Sequence, residues 1–159
     1  MKFITIMRNY YAFRICNSKA AKLEEELKIG RLRQGWGYDP TLNLRDGKTA
    51  RKDNGARKNY PIKDRVKEND FLFVLNMPDK EHVILAQAIA NFSEGYVYDE
   101  QSLDAKDFGH IFPAKWLAKI PKNEFYNAIQ NSRFCHRRFF KLRNHDKELS
   151  ELIVKYYKF

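Results

Sequence analysis

The sequence predicts a single α+β domain, and three observations favour this class. Apolar runs of strand length lie at residues 71–75 and 83–89. Apolar residues recur at helical spacing over residues 20–27 and 149–156. The chain has 159 residues, of which 43% are hydrophobic and 14% aromatic, so it can build one core and is not disordered overall. No internal repeat divides it, and residues 1–159 are therefore predicted to form one domain.

The first predicted strand covers residues 2–7, which are mostly apolar and β-prone. Arg8, Asn9 and Tyr10 follow where this strand opens onto a surface, and we predict that Arg8 binds phosphate and that Asn9 and Tyr10 contact the base. The amide of Asn9 both donates and accepts hydrogen bonds, as reading a base edge requires. An ordinary turn asparagine beside exposed tyrosines is the alternative interpretation. A helix is predicted next, capped by Asn17 or Ser18, and ended near residue 28 by a glycine.

Trp36 stands between Gly35 and Gly37, shortly after Arg31 and Arg33. Glycines beside an aromatic residue let the backbone approach whatever the ring covers. Arginines supply forked donors that match phosphate oxygens. A Trp face can stack on a nucleobase, which is worth roughly 1–3 kcal/mol per base. We predict that Trp36 forms one wall of a pocket for a flipped-out base; a core Trp at a helix-to-strand turn is the alternative.

Residues 39–70 have the least regular pattern in the chain. Nine Lys and Arg lie between residues 45 and 67, opposed by three Asp, and Gly and Asn interrupt them. We predict a mobile basic loop inserted in the domain on its nucleic-acid face, with Arg51, Lys52 and Arg57 among the phosphate ligands. A solvated run of charges without a partner is the alternative.

Two apolar strands, at residues 71–75 and 82–92, are predicted to form a hairpin through a turn at 76–80. Tyr96 and Tyr98 follow them and are two residues apart, so on a strand they point the same way. They are the best candidates for the wall opposite Trp36. Ordinary cross-strand aromatic packing explains them equally well.

Residues 108–121 predict a longer strand with a bend at Pro113, and its Trp116 is predicted to be a core residue. Residues 123–159 are predicted to form a basic, helical C-terminal segment. Basic and aromatic side chains alternate within it, which suits a surface that tracks phosphates, and Arg137 and Arg138 are the candidate ligands. An apolar edge with snorkelling basic side chains is the alternative.

The formal net charge of +10, from 30 Lys and Arg against 20 Asp and Glu, favours a polyanionic partner, most often nucleic acid. No apolar run is long enough to span a bilayer and the first residues lack the layout of a signal peptide, so no membrane partner is expected. The two cysteines, Cys16 and Cys135, do not make a disulfide framework. They predict a reducing, cytoplasmic setting.

The sequence carries none of the common catalytic motifs, such as the phosphate-binding loop, the nucleophile elbow or the HExxH zinc motif. The acids near Lys80 do not follow the order that a PD-(D/E)xK metal nuclease needs. Cys135 and His136 have no second close pair with which to bind zinc. We therefore expect no enzyme, no cofactor and no metal; a small nuclease is the alternative.

The order of elements resembles the EVE and YTH branch of the PUA-like superfamily: strand, helix, Trp loop, apolar hairpin, aromatic loop, and then FGHIFPAKWLAKIP. The last stretch matches a YTH pattern in which a Gly, an apolar residue, a Trp, a Leu or Ile and a Pro recur in order. The matching positions are Gly109, Ile111, Trp116, Ile120 and Pro121. The resemblance covers roughly residues 1–122 and rests on the order of elements, because each motif is short.

The resemblance implies a twisted β-barrel flanked by helices, with an aromatic cage that takes up a flipped, modified base. It puts Trp36 at the first cage position, Tyr96 or Tyr98 at the second, Asn9 near the base edge and Gly37 with its backbone facing the base. A Tyr stands where the second cage Trp is expected, and residues 39–70 have no counterpart.

The function implied by this resemblance is recognition of a modified base. YTH readers bind N6-methyladenine in RNA, and EVE-like domains of McrB-type restriction proteins read modified bases in DNA. We expect a reader that flips a methylated base out of DNA, as the recognition module of a modification-dependent restriction system with a separate or fused nuclease or NTPase. A YTH- or PUA-type RNA reader of N6-methyladenine is the alternative.

Overall fold

The fold is α+β, and a computed structural model describes residues 8–15, 17–100, 107–130 and 137–157. Over those ranges seven strands form one curled, open half-barrel sheet, accompanied by six α-helices. The strand predicted at residues 2–7 lies outside the described residues, as do Cys16, Cys135 and His136.

The strands are β1 (Tyr10–Arg14), β2 (Arg31–Gln34), β3 (Phe71–Leu75), β4 (His82–Ala88), β5 (Val97–Tyr98), β6 (His110–Pro121) and β7 (Phe139–Lys141). The helices are α1 (Ala20–Lys28), α2 (Lys48–Lys52), α3 (Tyr60–Arg65), α4 (Phe92–Gly95), α5 (Lys122–Ile129) and α6 (Asp146–Tyr156). Short 3₁₀ turns lie at Asn17–Lys19, Pro40–Leu42 and Ala56–Asn59.

The sheet runs in the order β2-β6-β4-β3-β1-β7, and β5 pairs with β6. Only β1 and β3 are parallel among the described pairs; the others are antiparallel. The long strand β6 joins two parts of the sheet, because its first half pairs with β2 and β5 and its second half with β4. The predicted hairpin is confirmed as β3 and β4.

Two apolar cores lie on the two faces of this sheet, as the alternation of side chains along a strand requires. On β3, Leu72 and Val74 belong to one core, and Phe71 and Phe73 to the other. The first core is covered by α1 and by the chain from residue 42 to 66. The second is covered by α5 and α6, whose apolar faces include Phe125 and Leu149. The predicted helix ending near residue 28 is confirmed as α1, and Gly30 follows it with a φ of 93°. The predicted cap is wrong, because a 3₁₀ turn at Asn17–Lys19 precedes the helix and puts Lys19 at its N-cap.

The segment 39–70 is not the basic loop that its composition predicts. It holds α2, α3 and two 3₁₀ turns, and it buries Leu42, Leu44, Ala50, Ala56 and Ile62 in the first core. These apolar residues are sparse and separated by charges, so the local pattern hides them. The C-terminal segment also departs from the prediction, because an edge strand, β7, lies between its two helices.

Candidate functional site

A cavity of about 770 Å³ opens where the end of β2 meets the ends of β1 and β7. Five separate parts of the chain line it, so its make-up is not visible in any one stretch of sequence. The lining residues are Arg14, Ile15, Gln34, Gly35, Trp36, Lys58, Pro61, Arg65, Asp107, Phe108, Arg137, Arg138 and Phe139.

Trp36 lines this cavity with an exposed indole, 41% of whose residue surface reaches solvent. Its backbone is left-handed, with a φ of 63°. A side chain with a Cβ costs roughly 1–2 kcal/mol in that conformation, and such strain concentrates at functional sites. An exposed Trp in a strained turn is therefore not explained by core packing.

The indole of Trp36 packs directly against the backbone of Gly55. A Cβ built on Gly55 would lie 1.4 Å from Cδ1 and 1.7 Å from Nε1 of Trp36, so no larger residue fits there. Asp53 fixes this turn, because its Oδ1 accepts from the backbone N–H groups of Gly55 at 2.9 Å and Ala56 at 2.8 Å. The ring is thus held against backbone and cannot settle deeper into the protein.

Arg138 lies beside the same ring, with its guanidinium carbon 5.2 Å from the indole centroid. Its Nη1 donates to the carbonyl of Gly55 and, at 3.1 Å, to Oδ1 of the fully buried Asn59. Asn59 in turn donates to the carbonyl of Gly35 at 3.0 Å. Burial lowers the pKa of Arg138, and the nearby carboxylates of Asp107 and Asp53 oppose that shift. The guanidinium is consequently a fixed cationic wall of the cavity.

His110 supports Trp36 from within the protein. Its Nε2 lies 2.7 Å from the carbonyl oxygen of Trp36, and its Nδ1 lies 2.7 Å from the hydroxyl of Tyr96. A carbonyl only accepts, so Nε2 carries the proton and Nδ1 accepts from the hydroxyl. That hydroxyl also accepts from the backbone N–H of Leu44 at 3.3 Å. Burial lowers the pKa of His110 to about 4, which keeps the imidazole neutral in this chain of hydrogen bonds.

Asp107 closes the other side of the turn. Its Oδ1 accepts from the backbone N–H groups of Gly37 at 3.1 Å and Phe108 at 2.8 Å. The carbonyl of Gly37 accepts from the N–H of Gly109 at 2.9 Å, and a Cβ on Gly37 would lie 2.8 Å from that nitrogen. Both backbone groups of Gly37 are therefore used within the fold, and they do not face the cavity as predicted.

The cavity is strongly electropositive. Among its described lining residues, Asp107 is the one carboxylate, and five are cations: Arg14, Lys58, Arg65, Arg137 and Arg138. A second cavity of about 470 Å³ shares Arg65, Arg137 and Phe139 with the first and adds Lys141, Arg143 and His145. Positive charge therefore continues from one cavity into the next.

Tyr96 and Tyr98 do not stand opposite Trp36. Tyr96 is 2% exposed and packs in the first core, where its ring stacks with that of His110 at a centroid distance of 5.9 Å. The Tyr98 hydroxyl donates to the carbonyl of Asp39, and burial raises the pKa of Tyr98 to about 12. Aromatic residues that do line the cavity with Trp36 are Phe108 and Phe139.

Asn9 and Tyr10 lie at the opposite end of β1 from the cavity. Arg14 and Ile15 line the cavity at the other end, about 16 Å away at ~3.3 Å per strand residue. The backbone of Asn9 bonds to Asp70 and Phe71, and the ring of Tyr10 stacks on that of Phe71 at 5.8 Å. The predicted base-edge role of Asn9 and Tyr10 has no support from this placement.

Arg31 and Arg33 hold the fold together and do not face the cavity. Arg33 is 5% exposed; it donates to Glu26 at 2.6 Å, to the carbonyl of Phe108 at 3.0 Å and to Asp99 at 3.1 Å. Arg31 pairs with the same Glu26 at 2.6 Å. Their donors are thus directed to carboxylates and a carbonyl within the protein.

The remaining predicted phosphate ligands are divided between the cavity and other surfaces. Arg137 and Arg138 line it, whereas the exposed Lys52 and Arg57 are not among its described lining residues. Arg51 lies over the ring of Tyr60 at 4.3 Å, and Arg8 lies over that of Phe71 at 5.3 Å. Within the segment 39–70, Lys58 and Arg65 reach the cavity instead.

Sequence reasoning missed several residues that build the site, above all Gly55, Asn59, Asp107, His110 and Phe139. The Asp-Asn-Gly turn at 53–55 is a signal for a tight turn, but nothing local shows that its glycine touches an indole. Asp107, His110 and Phe139 are brought to Trp36 by pairing of β6 with β2 and of β7 with β1, whereas Asn59 lies at the end of the 3₁₀ turn that follows Gly55.

Two features are absent from the described residues, a membrane-spanning helix and a cluster of metal ligands. No helix in the described ranges is long and apolar enough to cross a membrane. No group of three or more His, Cys, Asp or Glu side chains in the same ranges is placed to hold a metal ion.

Comparison with known proteins does not assign this chain to a family. The chain matches no protein-family model, and no curated protein is significantly similar to it.

Proposed function

We propose that this protein binds nucleic acid and takes an extruded, modified base against the indole of Trp36. The observation that carries this proposal is the exposed Trp36, held in a left-handed turn on Gly55 at the wall of a cation-lined cavity. The volume of about 770 Å³ falls within the range of roughly 300–1,000 Å³ typical of small-ligand sites. A nucleotide is a ligand of that size.

The chemistry of the lining fits a nucleotide better than an apolar ligand. A base needs a flat aromatic surface, and Trp36 supplies one, with Phe108 and Phe139 in the same lining. The sugar-phosphate part needs cations, which five lining residues supply. Arg65 and Arg137 extend into the second cavity, so phosphates flanking the extruded nucleotide have a continuous path.

The resemblance to the EVE and YTH branch of the PUA-like superfamily supports the same proposal from the sequence, and the curled, open sheet is compatible with it. On this basis we propose a PUA-like reader of methylated DNA, serving a modification-dependent restriction system with a nuclease or NTPase as its effector. RNA carrying N6-methyladenine is the competing ligand.

The energetics set what a binding experiment must resolve. Extruding a base costs a few kcal/mol, which stacking on Trp36 at roughly 1–3 kcal/mol and phosphate contacts must offset. A buried methyl group adds about 0.8 kcal/mol, or about fourfold in affinity. Preference for the modified base should thus be several-fold, and total affinity should fall steeply with salt.

The test is fluorescence anisotropy with labelled duplexes containing one 5-methylcytosine, 5-hydroxymethylcytosine or N6-methyladenine, against unmodified duplexes and matched RNA. We expect preference for one modified ligand, loss of that preference in Trp36→Ala, and its retention in the control Trp116→Phe. Thermal melting checks that both variants fold. Equal affinity for every modified and unmodified pair would refute the proposal, and cleavage on addition of Mg²⁺ or Mn²⁺ would favour a nuclease.

A further inference from the structure

Asp107 is a carboxylate in a cavity otherwise rich in cations. Its two oxygens are in different situations. Oδ1 accepts two backbone hydrogen bonds, from Gly37 at 3.1 Å and Phe108 at 2.8 Å. These bonds fix the orientation of the carboxylate without using Oδ2.

Oδ2 lies beside the backbone of Gly35, the residue that precedes Trp36. A Cβ added to Gly35 would be 3.4 Å from Oδ2, so the oxygen is close to the turn that carries the indole. No hydrogen bond reaches Oδ2 from any residue in the described ranges. A carboxylate oxygen that accepts no hydrogen bond from the described residues therefore stands next to the proposed stacking surface.

The other polar groups around the turn are already engaged. The Gln34 side chain donates to the carbonyl of Arg14 at 2.9 Å and accepts from the N–H of Gly35 at 2.8 Å. The carbonyl of Gly35 accepts from Asn59. Lining side chains such as Lys58 and Arg65 only donate. Asp107 is therefore the strongest acceptor in this lining for a donor group on a ligand.

We propose that Asp107 determines specificity at this site by accepting a hydrogen bond from the exocyclic amino group of the extruded base, N4 of cytosine or N6 of adenine. This inference rests on the proposed function. Acidic side chains accept from cytosine N4 in known base recognition. The ring N–H of thymine or uracil is flanked by two carbonyls, which would face the carboxylate. Guanine gains most from a carboxylate when its two adjacent N–H groups pair with both oxygens, and this bidentate pairing is blocked because Oδ1 is occupied.

The proposal narrows the class of modification as well as the base. A 5-methyl group on cytosine leaves both N4 hydrogens, and a single N6-methyl group on adenine leaves one, so both bases keep a donor for Oδ2. N6,N6-dimethyladenine keeps none. A hydrogen bond to a charged group contributes about 1.5–3 kcal/mol, which is on the order of 10–100-fold in affinity.

The test is a panel of duplexes with one bulged nucleotide, measured by anisotropy against wild type, Asp107→Asn and Trp36→Ala. In one set the bulged base is adenine, N6-methyladenine, N6,N6-dimethyladenine or unsubstituted purine, which lacks the amino group. In the other set it is cytosine, 5-methylcytosine, N4,N4-dimethylcytosine or pyrimidin-2-one, which lacks the amino group of cytosine. In the set that binds, we expect wild type to bind the dimethyl base and the base without an amino group on the order of 10–100-fold more weakly than adenine or cytosine. Asp107→Asn keeps an oxygen for Gly37 and Phe108 but presents an amide –NH₂ in place of Oδ2, so it should lose this difference.

The outcomes separate the two proposals. If wild type binds a bulged base in a Trp36-dependent way, but binds it as tightly without its amino group as with it, the role of Asp107 is refuted and the proposed function stands. If Asp107→Asn keeps the full preference for bases with the amino group, the role of Asp107 is likewise refuted. If no bulged base binds in a Trp36-dependent way, the proposed function itself fails. The wild-type panel alone decides the question should Asp107→Asn not fold, as melting would show.

Discussion

Gly55→Ala is the sharpest perturbation of the candidate site, because it adds one methyl group where the indole of Trp36 lies. The new Cβ would be 1.4 Å from Cδ1 and 2.1 Å from Cγ of Trp36, far inside contact distance. The backbone of Gly55 itself is helical, with φ of −84° and ψ of −51°, so alanine fits its conformation. The substitution should therefore displace the ring without straining its own residue.

The expected magnitudes follow from the burial of the ring. Trp36 is 41% exposed, so more than half of its surface is covered. Losing about half of the 150–250 Å² that a Trp buries, at ~25 cal/mol per Å², lowers the free energy of unfolding by roughly 2–3 kcal/mol. Replacing a glycine of helical conformation by alanine raises the free energy of unfolding by about 0.4–1 kcal/mol, because alanine lowers the conformational entropy of the unfolded chain. Loss of stacking should weaken ligand binding by roughly 5–150-fold.

A double-mutant cycle provides the assay, with Gly55→Ala, Trp36→Ala and the double variant titrated by anisotropy and unfolded by urea. If the methyl group acts only through the indole, the two changes are not additive, and the double variant binds like Trp36→Ala alone. In the Trp36→Ala background, Gly55→Ala should leave the free energy of unfolding unchanged or raise it. Wild-type affinity in Gly55→Ala, or additive effects on binding, would refute the seating of Trp36 on Gly55.

Three further predictions follow from contacts at and around the site. Arg137→Ala should weaken binding to modified and unmodified ligands alike and lower the slope of log affinity against log salt by about one. Arg138→Lys should in addition reduce the difference in affinity between modified and unmodified ligands, because the guanidinium of Arg138 flanks Trp36. Equal effects of the two substitutions in salt titrations would contradict this. The pKa of His110 is lowered to about 4 by burial, so between pH 6.5 and 4 the unfolded state binds more protons and stability falls as pH falls, by on the order of 3 kcal/mol in all. Urea unfolding at pH 7 and pH 5 checks it, with a flatter dependence expected in His110→Gln. Arg33→Ala should cost about 3 kcal/mol of stability, because it leaves Glu26 with Arg31 alone, while the affinity of the folded protein stays unchanged.

Elements with a strong local pattern could be predicted from the sequence. The apolar stripe of α1 and the two continuous apolar runs of β3 and β4 each bury a large fraction of their residues, so period and length were sufficient. The sequence also pointed to Trp36, since an aromatic residue between glycines beside arginines is unusual in a core. Its exposure and left-handed backbone agree with that interpretation.

The rest of the site depends on contacts between distant residues. Tyr96 was predicted to stand opposite Trp36 because Tyr96 and Tyr98 would point the same way on one strand. Instead its hydroxyl is hydrogen-bonded in the core to His110 and to the backbone of Leu44, which other parts of the chain supply. Arg33 was predicted to bind phosphate because the sequence does not show that its guanidinium pairs with Glu26 on α1. Charge alone does not reveal whether a basic residue has an internal partner. Such pairings are set by strand register and helix packing.

The basic wall of the cavity lies at an edge of the sheet. β7 is three residues long and pairs with β1 alone among the described strands. Two backbone hydrogen bonds extend this pairing, from the N–H of Arg14 to the carbonyl of Arg138 and from the N–H of Leu142 to the carbonyl of Tyr10, both at 2.8 Å. Short edge strands separate from a sheet at a lower free-energy cost than central ones. A polyanion bound to both the basic residues before β7 and the turn around Trp36 would hold β7 against β1. Ligand binding and the pairing of β7 with β1 are then thermodynamically linked, so that each favours the other.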